Sequence, residues 1–440
     1  MKHRETIITI SLIGLIFAQP NQWQLANGTA GIYINDIDIF HQNPDTVYAT
    51  GNQFLISTDR GENWVSVSGM AFSSVIEVDP YDSRRVYLNH NILPSDGTEF
   101  LMTTDGGINW ETIFEEYGWP DKPIVETDPG DLNTIYIDVA PNTFYRSSDQ
   151  GNTWDSIPSP NASGLTSLAI APSNINILYA AYFGPNYIYK STDRSQTWSQ
   201  LPFPSMYGGV LVLAVDPDNP DIVYAAMSAG ESRGVYKSTD GGQNWELKNN
   251  GLDSLQTNDW IQVVTINPKI SETLFLGVSS YPPQNPILFK SINGAESWFP
   301  FNVGLPDSGG ISCIQIDTLN EKIYVGVLAW NGNGIYVNDY YLTSIDNKDS
   351  QVPGAFSLKQ NYPNPFNSST KIAYSLSKNS FVKLTVFDIS GKMVKILVNE
   401  IKNTGEHNVI FNAEDLTSGI YFYCVKSGNK TVTRKALLLK

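Results

Sequence analysis

Apolar and polar positions alternate along most of this chain in short runs separated by Gly, Pro, Asn and Asp. A representative stretch reads VLVLAVDP (Val210–Pro217), DIVYAAM (Asp221–Met227) and GVYKST (Gly234–Thr239), with WELK (Trp245–Lys248) following a polar reversal. Runs of this length, rich in Val, Tyr and Ile and bounded by turn residues, predict strands. Four in succession predict an antiparallel four-stranded meander. The reversal itself, STDGGQNW (Ser238–Trp245), carries its own logic. Asp240 is expected to accept hydrogen bonds from N–H groups two residues on. Gly241 and Gly242 supply the positive φ of a tight turn, and Trp245 opens the returning strand with a large apolar face.

That octet recurs as STDRGENW (Ser57–Trp64), TTDGGINW (Thr103–Trp110), SSDQGNTW (Ser147–Trp154), STDRSQTW (Ser191–Trp198) and a worn SINGAESW (Ser291–Trp298). The key positions are Asp59, Asp105, Asp149, Asp193, Asp240 and Asn293, spaced by 46, 44, 44, 47 and 53 residues. A fixed period of this length marks units that stack to bury a shared core. Radial repetition of four-stranded meanders is a β-propeller. A seventh cycle, ISCIQID (Ile311–Asp317), EKIYVGV (Glu321–Val327) and GIYVND (Gly334–Asp339), lacks its fourth run. QWQLANG (Gln22–Gly28) matches NWELKNNG (Asn244–Gly251) in pattern. Trp23–Ala26 is therefore expected to complete that last unit. The fold class is all-β: a seven-bladed propeller over residues 19–342, closed by its N-terminal strand.

The ends differ from this body. Residues 1–18 join Lys2 and Arg4 to an apolar run, Ile7–Phe17, and end on Ala18, which reads as a secretory signal peptide too short to span a bilayer. Residues 343–355 lose the pattern and read as a linker. Residues 356–440 resume alternation, with turns at Ser390-Gly391, Ser418-Gly419 and Ser427-Gly428, and predict a small immunoglobulin-like β-sandwich of about seven strands. The formal net charge of −16 is unevenly spread: residues 356–440 hold 12 Lys and Arg against 5 Asp and Glu, while residues 19–355 hold 14 against 38. An acidic body excludes a nucleic-acid footprint. Cys313 and Cys424 sit in separate domains within apolar runs, as buried free thiols.

The octet resembles the Asp-box, or bacterial neuraminidase repeat, of sialidases, sortilin-type receptors, xyloglucan-active glycoside hydrolases and photosystem II assembly factors. Those families share little activity, so the resemblance implies a fold and no chemistry. Ser195 departs from the pattern, standing where the repeat has Gly, and should strain its turn. The tail resembles the C-terminal sorting domain of the type IX secretion system through Asn361–Asn367 (NYPNPFN), Phe387–Lys392 (FDISGK), Ser418–Tyr423 (SGIYFY) and Lys435–Lys440. This resemblance implies passage to the periplasm and then across the outer membrane, leaving the protein secreted or attached to the cell surface. The secretion machinery is then the partner of residues 356–440.

Strand parity puts the repeated turns, with Asp59, Trp64, Asp105, Trp110, Asp149, Trp154, Asp193, Trp198, Asp240, Trp245, Asn293 and Trp298, on one face in structural roles. The opposite face collects the irregular connections Asn89–Phe100, Phe114–Pro123, Ala181–Ile188, Phe203–Gly209, Met227–Val235, Asn249–Trp260, Ser279–Pro286 and Ala329–Gly334. They offer Tyr117, Trp119, Phe183, Tyr187, Tyr207, Trp260, Tyr281 and Trp330 as platforms for a ligand. Sugar rings suit aromatic platforms beside carboxylates, so a non-catalytic glycan- or protein-binding propeller is the leading reading. A glycoside hydrolase is the alternative, with Glu115, Glu116, Asp121 and Asp259 as candidate acids. A scaffold for assembling another exported protein is the third. A sialidase needs three arginines on one substrate carboxylate, and Arg60, Arg84, Arg85 and Arg194 fall on the wrong face. His41, His90 and His407 are scattered, so no His-based metal site or triad is expected, and no phosphate loop or cofactor motif occurs.

Overall fold

The computed structural model describes residues 22–67, 73–92, 97–117, 123–140, 143–161, 164–182, 184, 187–204, 210–227, 233–255, 259–280, 288–306, 309–329, 332–339, 357–359, 361, 363–364, 366–376, 379–388, 392–427 and 430–440. Two compact units emerge, Met1–Leu342 and Thr343–Lys440. The predicted signal peptide, 1–18, and the linker, 343–355, lie outside the described residues.

The first unit is a seven-bladed propeller built of four-stranded antiparallel meanders, the last two joined into one eight-stranded sheet by the pair Ser279↔Gly310. Blade 2, for example, runs Ile76–Val78, Val86–Ile92, Gly97–Thr103 and Glu111–Tyr117. The first strand of each blade touches the first strand of the next, around to Gly310–Asp317 of blade 7 against Ile34–Ile39 of blade 1. These first strands therefore line the centre. Second strands are the most deeply buried: Val47–Gly51, Leu178–Tyr182 and Val223–Met227 are buried at every position. Their run of Val, Tyr and Ala is apolar on both faces because each face meets a neighbouring blade.

Blade 7 has three strands from the C-terminal part of the unit, and Gln24–Leu25 pairs antiparallel with the third, Gly334–Asp339, in the register Gln24↔Val337 and Leu25↔Tyr336. Trp23 then stands where other blades carry the turn-motif Trp. In four of those blades the indole meets an aromatic ring of the preceding blade edge-on, as Trp110 meets Phe54 (5.2 Å) and Trp154 meets Phe114 (5.6 Å). Trp23 meets Phe301 of blade 6 in the same way, at 5.7 Å. The backbone repeats too: Trp298 N–H donates to Asn250 O, Trp64 N–H to Asn27 O, and Trp23 N–H to Val303 O.

The second unit is a sandwich of a three-stranded sheet (Ser357–Leu358, Ser369–Leu376, Gly405–Asn412) and a four-stranded sheet (Ser380–Asp388, Met393–Lys402, Gly419–Ser427, Lys430–Leu438). Ile372, Tyr374 and Phe411 from the first sheet share a core with Leu384, Val386 and Tyr423 from the second. Asn361, the first residue of NYPNPFN, is tied to this core. Asn361 donates its N–H to Tyr423 Oη (2.7 Å) and its side-chain amide to Thr370 Oγ1 (3.0 Å) and Pro363 O (3.1 Å). Both cysteines are free thiols, but Cys424 is half-buried rather than buried, because its position on Gly419–Ser427 alternates with the core residues Tyr423 and Val425.

Candidate functional site

The six turns share one hydrogen-bond scheme. In the second copy Thr103 Oγ1 donates to Asp105 Oδ1 (2.8 Å) and accepts from Gly107 N–H (3.0 Å). Asp105 Oδ1 then accepts from Asn109 N–H (2.9 Å), and Oδ2 from Asn109 Nδ2 (2.7 Å). The expectation for Asp240 is corrected here: its carboxylate reaches the N–H four residues on, Asn244 (2.8 Å), so the octet is a wider loop than an Asx turn. These bonds favour the ionised acid. Asp105 is held down at about 2, chiefly by the Asn109 N–H, and Asp59, Asp149, Asp193 and Asp240 are lowered by equivalent bonds. Each carboxylate is thus committed to its own loop.

The opposite face carries the candidate ligand residues. Trp260, in the first strand of blade 6 (Asp259–Asn267), is 56% exposed. Tyr187 is half-buried against the core between blades 3 and 4, its ring lying over Gly184, where a Cβ would stand 2.6 Å from Cε2. Glu115 is exposed in blade 2, and Asp259 is buried in blade 6, so the structure does not bring these two acids together. Glu116 and Tyr117 belong to the strand Glu111–Tyr117, with side chains outside the described residues. Trp119, Asp121, Phe183, Tyr207, Tyr281 and Trp330 also lie outside them.

Two of the stretches read as connections are largely strand. Asn89–Ile92 and Gly97–Phe100 pair with one another, and Phe114–Tyr117 continues the outer strand of blade 2. This longer sheet brings together residues the sequence left apart. His90 Nδ1 lies 2.8 Å from Glu99 Oε1, and Thr112 Oγ1 donates to Glu99 Oε2 (3.0 Å). Glu115 stands directly opposite Glu99 on the next strand. The scattered histidines therefore include one paired with a carboxylate. Only the strand register, which a glycine-free run from Val86 to Ile92 could have signalled, makes this visible. Tyr33, 54% exposed ahead of the first strand of blade 1, is another residue that sequence reading missed. Its N–H donates to Asn52 Oδ1 (3.2 Å), and Asn52 N–H returns a bond to Tyr33 O (3.2 Å).

The centre of the ring carries a further set of acids. The first strands are sheet edges whose N–H groups face the middle, and side chains of the preceding blade satisfy them. Asp36 Oδ2 accepts from Ile76 N–H (3.1 Å), Asp38 Oδ2 from Val78 N–H (2.7 Å), and Glu77 Oε1 from Thr127 N–H (3.2 Å). Gln315 of blade 7 donates to Asp38, tying the last blade to the first. Burial pushes Asp38 up to about 7 against these bonds, and burial with the nearby charges of Asp38 and Glu126 raises Glu77 well above its usual range. These side chains hold blades together. Among the described residues no group of three or more His, Cys, Asp or Glu is arranged to hold a metal ion, and no helix is long and apolar enough to cross a membrane. Arg60, Arg85 and Arg194 are each engaged by carboxylates, Asp45, Asp79 and Asp128 respectively, on the turn-bearing side.

The chain joins a propeller unit to a β-sandwich unit, and each is similar in part to known proteins. Residues 360–439 match the secretion system C-terminal sorting domain, and residues 142–322 match the family described as sortilin, neurotensin receptor 3. Among solved structures, YCF48 bound to D1 peptide is 14% identical with a TM-score of 0.52, over 73% of this chain and 96% of that one. The GH74 xyloglucanase from Xanthomonas campestris is 13% identical with a TM-score of 0.59, over 81% of this chain and 60% of the enzyme. The GH74 enzyme of Niastella koreensis is 15% identical with a TM-score of 0.56, over 95% of this chain and 75% of that one. No curated protein matches in sequence. The first unit is thus similar to sortilin over residues 142–322 and has the fold of the propeller neighbours, while the match at residues 360–439 supports secretion or attachment at the cell surface.

Proposed function

We propose that this chain is an exported propeller that binds a glycan or a protein, without cleaving it, through the face opposite its repeated turns. The observation that carries the reading is the contrast between faces. On one, every motif acid is bonded within its own loop; on the other, Trp260 presents an indole that is 56% exposed at the head of a central strand. A large aromatic left in water on a rigid element is the kind of anchor that binding sites use. The fold accommodates either ligand class, since YCF48 holds a D1 peptide and one GH74 neighbour is a xyloglucanase. Delivery would start from the signal peptide at residues 1–18 and finish through engagement of the type IX machinery by residues 356–440.

A glycoside hydrolase is the second reading, favoured by one observation: Glu99 and Glu115 are cross-strand neighbours. Retaining glycosidases use two carboxyl groups only about 5 Å apart. Incubating the full-length protein with a panel of polysaccharides and peptides, while scoring binding and released reducing ends together, separates the readings. Binding without new reducing ends, weakened by Trp260→Ala, is the expected result. Release of reducing ends that stops on Glu115→Gln would establish the hydrolase instead.

A further inference from the structure

We propose that the side of blade 2 facing blade 1 is a saccharide-binding site built on His90, Thr112 and Glu115, with Glu99 as their organiser. This rests on the binding reading above and gives it a place and a ligand class.

The direction of this side follows from alternation. Leu88 and Leu101 pack into one cluster with Tyr48 and Phe54 of blade 1, and His90 and Glu99 lie two residues along the same strands, hence on the same side. Glu115 is in register with Glu99 and shares that side. Blade 1 does not cover it fully. Its second and third strands, Val47–Gly51 and Phe54–Ser57, reverse through Asn52 and Gln53, whereas those of blade 2 continue to Ile92 and resume at Gly97. Counting from Tyr48 and Tyr87, His90 is level with Gly51. Past that level no described strand of blade 1 stands in front of the wall, and at that edge Thr112 and Glu115 are exposed. The low turn is fixed there: a Cβ on Gly51 would stand 1.9 Å from Tyr33 O, so only glycine lets the two segments meet. This contact sets the Tyr33 backbone beside the same turn.

The chemistry of the wall selects the ligand. Glu99 accepts on both oxygens, from His90 and Thr112, so its charge is spent on positioning. His90 Nδ1 is engaged, which leaves Nε2 as the ring atom for a ligand. Glu115 is exposed and acceptor-only when ionised. An imidazole nitrogen, a threonine hydroxyl and a carboxylate together suit hydroxyl groups, which both donate and accept. A purely cationic partner would be met by one uncommitted acid beside a histidine. An anionic glycan would meet a body carrying 38 Asp and Glu against 14 Lys and Arg over residues 19–355. Neutral polysaccharides fit best.

The test is calorimetric titration of the full-length protein with neutral glucans, mannans, galactans and xylans, with oligolysine as the cationic probe. Wild-type protein should bind at least one polysaccharide. Glu115→Gln and His90→Ala should each weaken that binding roughly tenfold, as expected for losing one hydrogen bond to a charged or polarised group. Glu115 is exposed, so Glu115→Gln should leave the melting temperature unchanged and keeps the test informative if His90→Ala is unstable. Polysaccharide binding that both variants retain would overturn this site while leaving the binding function intact. Oligolysine binding lost in Glu115→Gln, without polysaccharide binding, would overturn the saccharide assignment. Binding of neither probe by wild-type protein would overturn the site together with the glycan half of the proposed function.

Discussion

Asn89 and Asp138 occupy the same place on the second strands of blades 2 and 3, two residues after Tyr87 and Tyr136, yet only Asn89 is satisfied. Its Oδ1 accepts from Ser74 N–H and Val75 N–H, both at 2.9 Å. The registers Ile76↔Leu88 and Val125↔Ile137 put Pro123 and Ile124 in the places of Ser74 and Val75. Proline has no N–H, and Ile124 is paired with Asp138 in the ladder. No hydrogen bond among the described residues reaches the Asp138 carboxyl, which is only 5% exposed. Burial pushes it up to about 8, so at neutral pH it keeps its proton.

The sign of the pH effect follows. An unfolded aspartate titrates near 3.9. Asp138 therefore favours the folded state fully below about pH 4, and that contribution drains away as pH rises through 8. Asp138→Asn should flatten stability between those limits and stabilise the protein at pH 9 by about 1–3 kcal/mol. Urea unfolding at pH 5, 7 and 9 reads this directly; an unchanged slope would mean that the acid is ionised in the fold.

The worn sixth turn shows how an amide can serve in place of the acid. Asn293 Oδ1 accepts from Ser297 N–H (3.0 Å), and its Nδ2 donates to Ser297 Oγ (2.9 Å). In the second turn the partner at that position, Asn109, donates its Nδ2, so an amide at 105 would set two donors against each other. Asp105→Asn should lower the melting temperature, and Asp105→Asn with Asn109→Ser should restore part of it. Equal loss in single and double variants would show that the charge matters more than the pairing.

Much of this architecture was legible in the sequence because the repeat fixes both period and parity. The octets located six blades, and QWQLANG located the strand that pairs with Gly334–Asp339. The candidate site was legible only in part. Trp260 was found because a bulky aromatic beside a turn is conspicuous. His90 and Glu99 were not linked because nine residues separate them, and only strand register shows that they face each other. Tyr33 lies just outside an alternating run, where composition cannot distinguish a surface ring from a core one. The central acids Asp38 and Glu77 alternate like solvent-facing residues, although what they face is the next blade's backbone.

Backbone strain in the fourth turn gives a prediction of opposite sign at two equivalent positions. Ser195 holds φ 68° where the other well-preserved copies have glycine. A side chain in that region costs about 1–2 kcal/mol, so Ser195→Gly should raise stability by up to about 1 kcal/mol. Gly242 holds φ 87°, and a Cβ there would lie 2.4 Å from Leu201 Cδ1. Gly242→Ala should cost about 2 kcal/mol or more, from strain and overlap together. Melting curves of both variants, run side by side, check the pair.

The seam between Trp23–Leu25 and the strand Gly334–Asp339 gives the sharpest prediction. Trp23 is 3% exposed, donates Nε1–H to Phe301 O (2.8 Å), and packs in one cluster with Phe275, Leu305 and Tyr336. The next residues pair with Val337 and Tyr336, Ala26 N–H donates to Ile335 O (2.8 Å), and a Cβ on Gly28 would stand 2.4 Å from Trp64 O. One short segment thus contacts blades 6, 7 and 1. Trp23→Ala should cost about 3–5 kcal/mol, as for other buried aromatics cut to alanine. Deleting residues 19–28 should lower the melting temperature further, because it also leaves the outer edge of Gly334–Asp339 unpaired. If the deletion melts with the wild-type protein, the segment is an ornament on an already closed ring. If it melts well below Trp23→Ala, the ring depends on the pairing along Gly334–Asp339 as well as on the Trp23 indole.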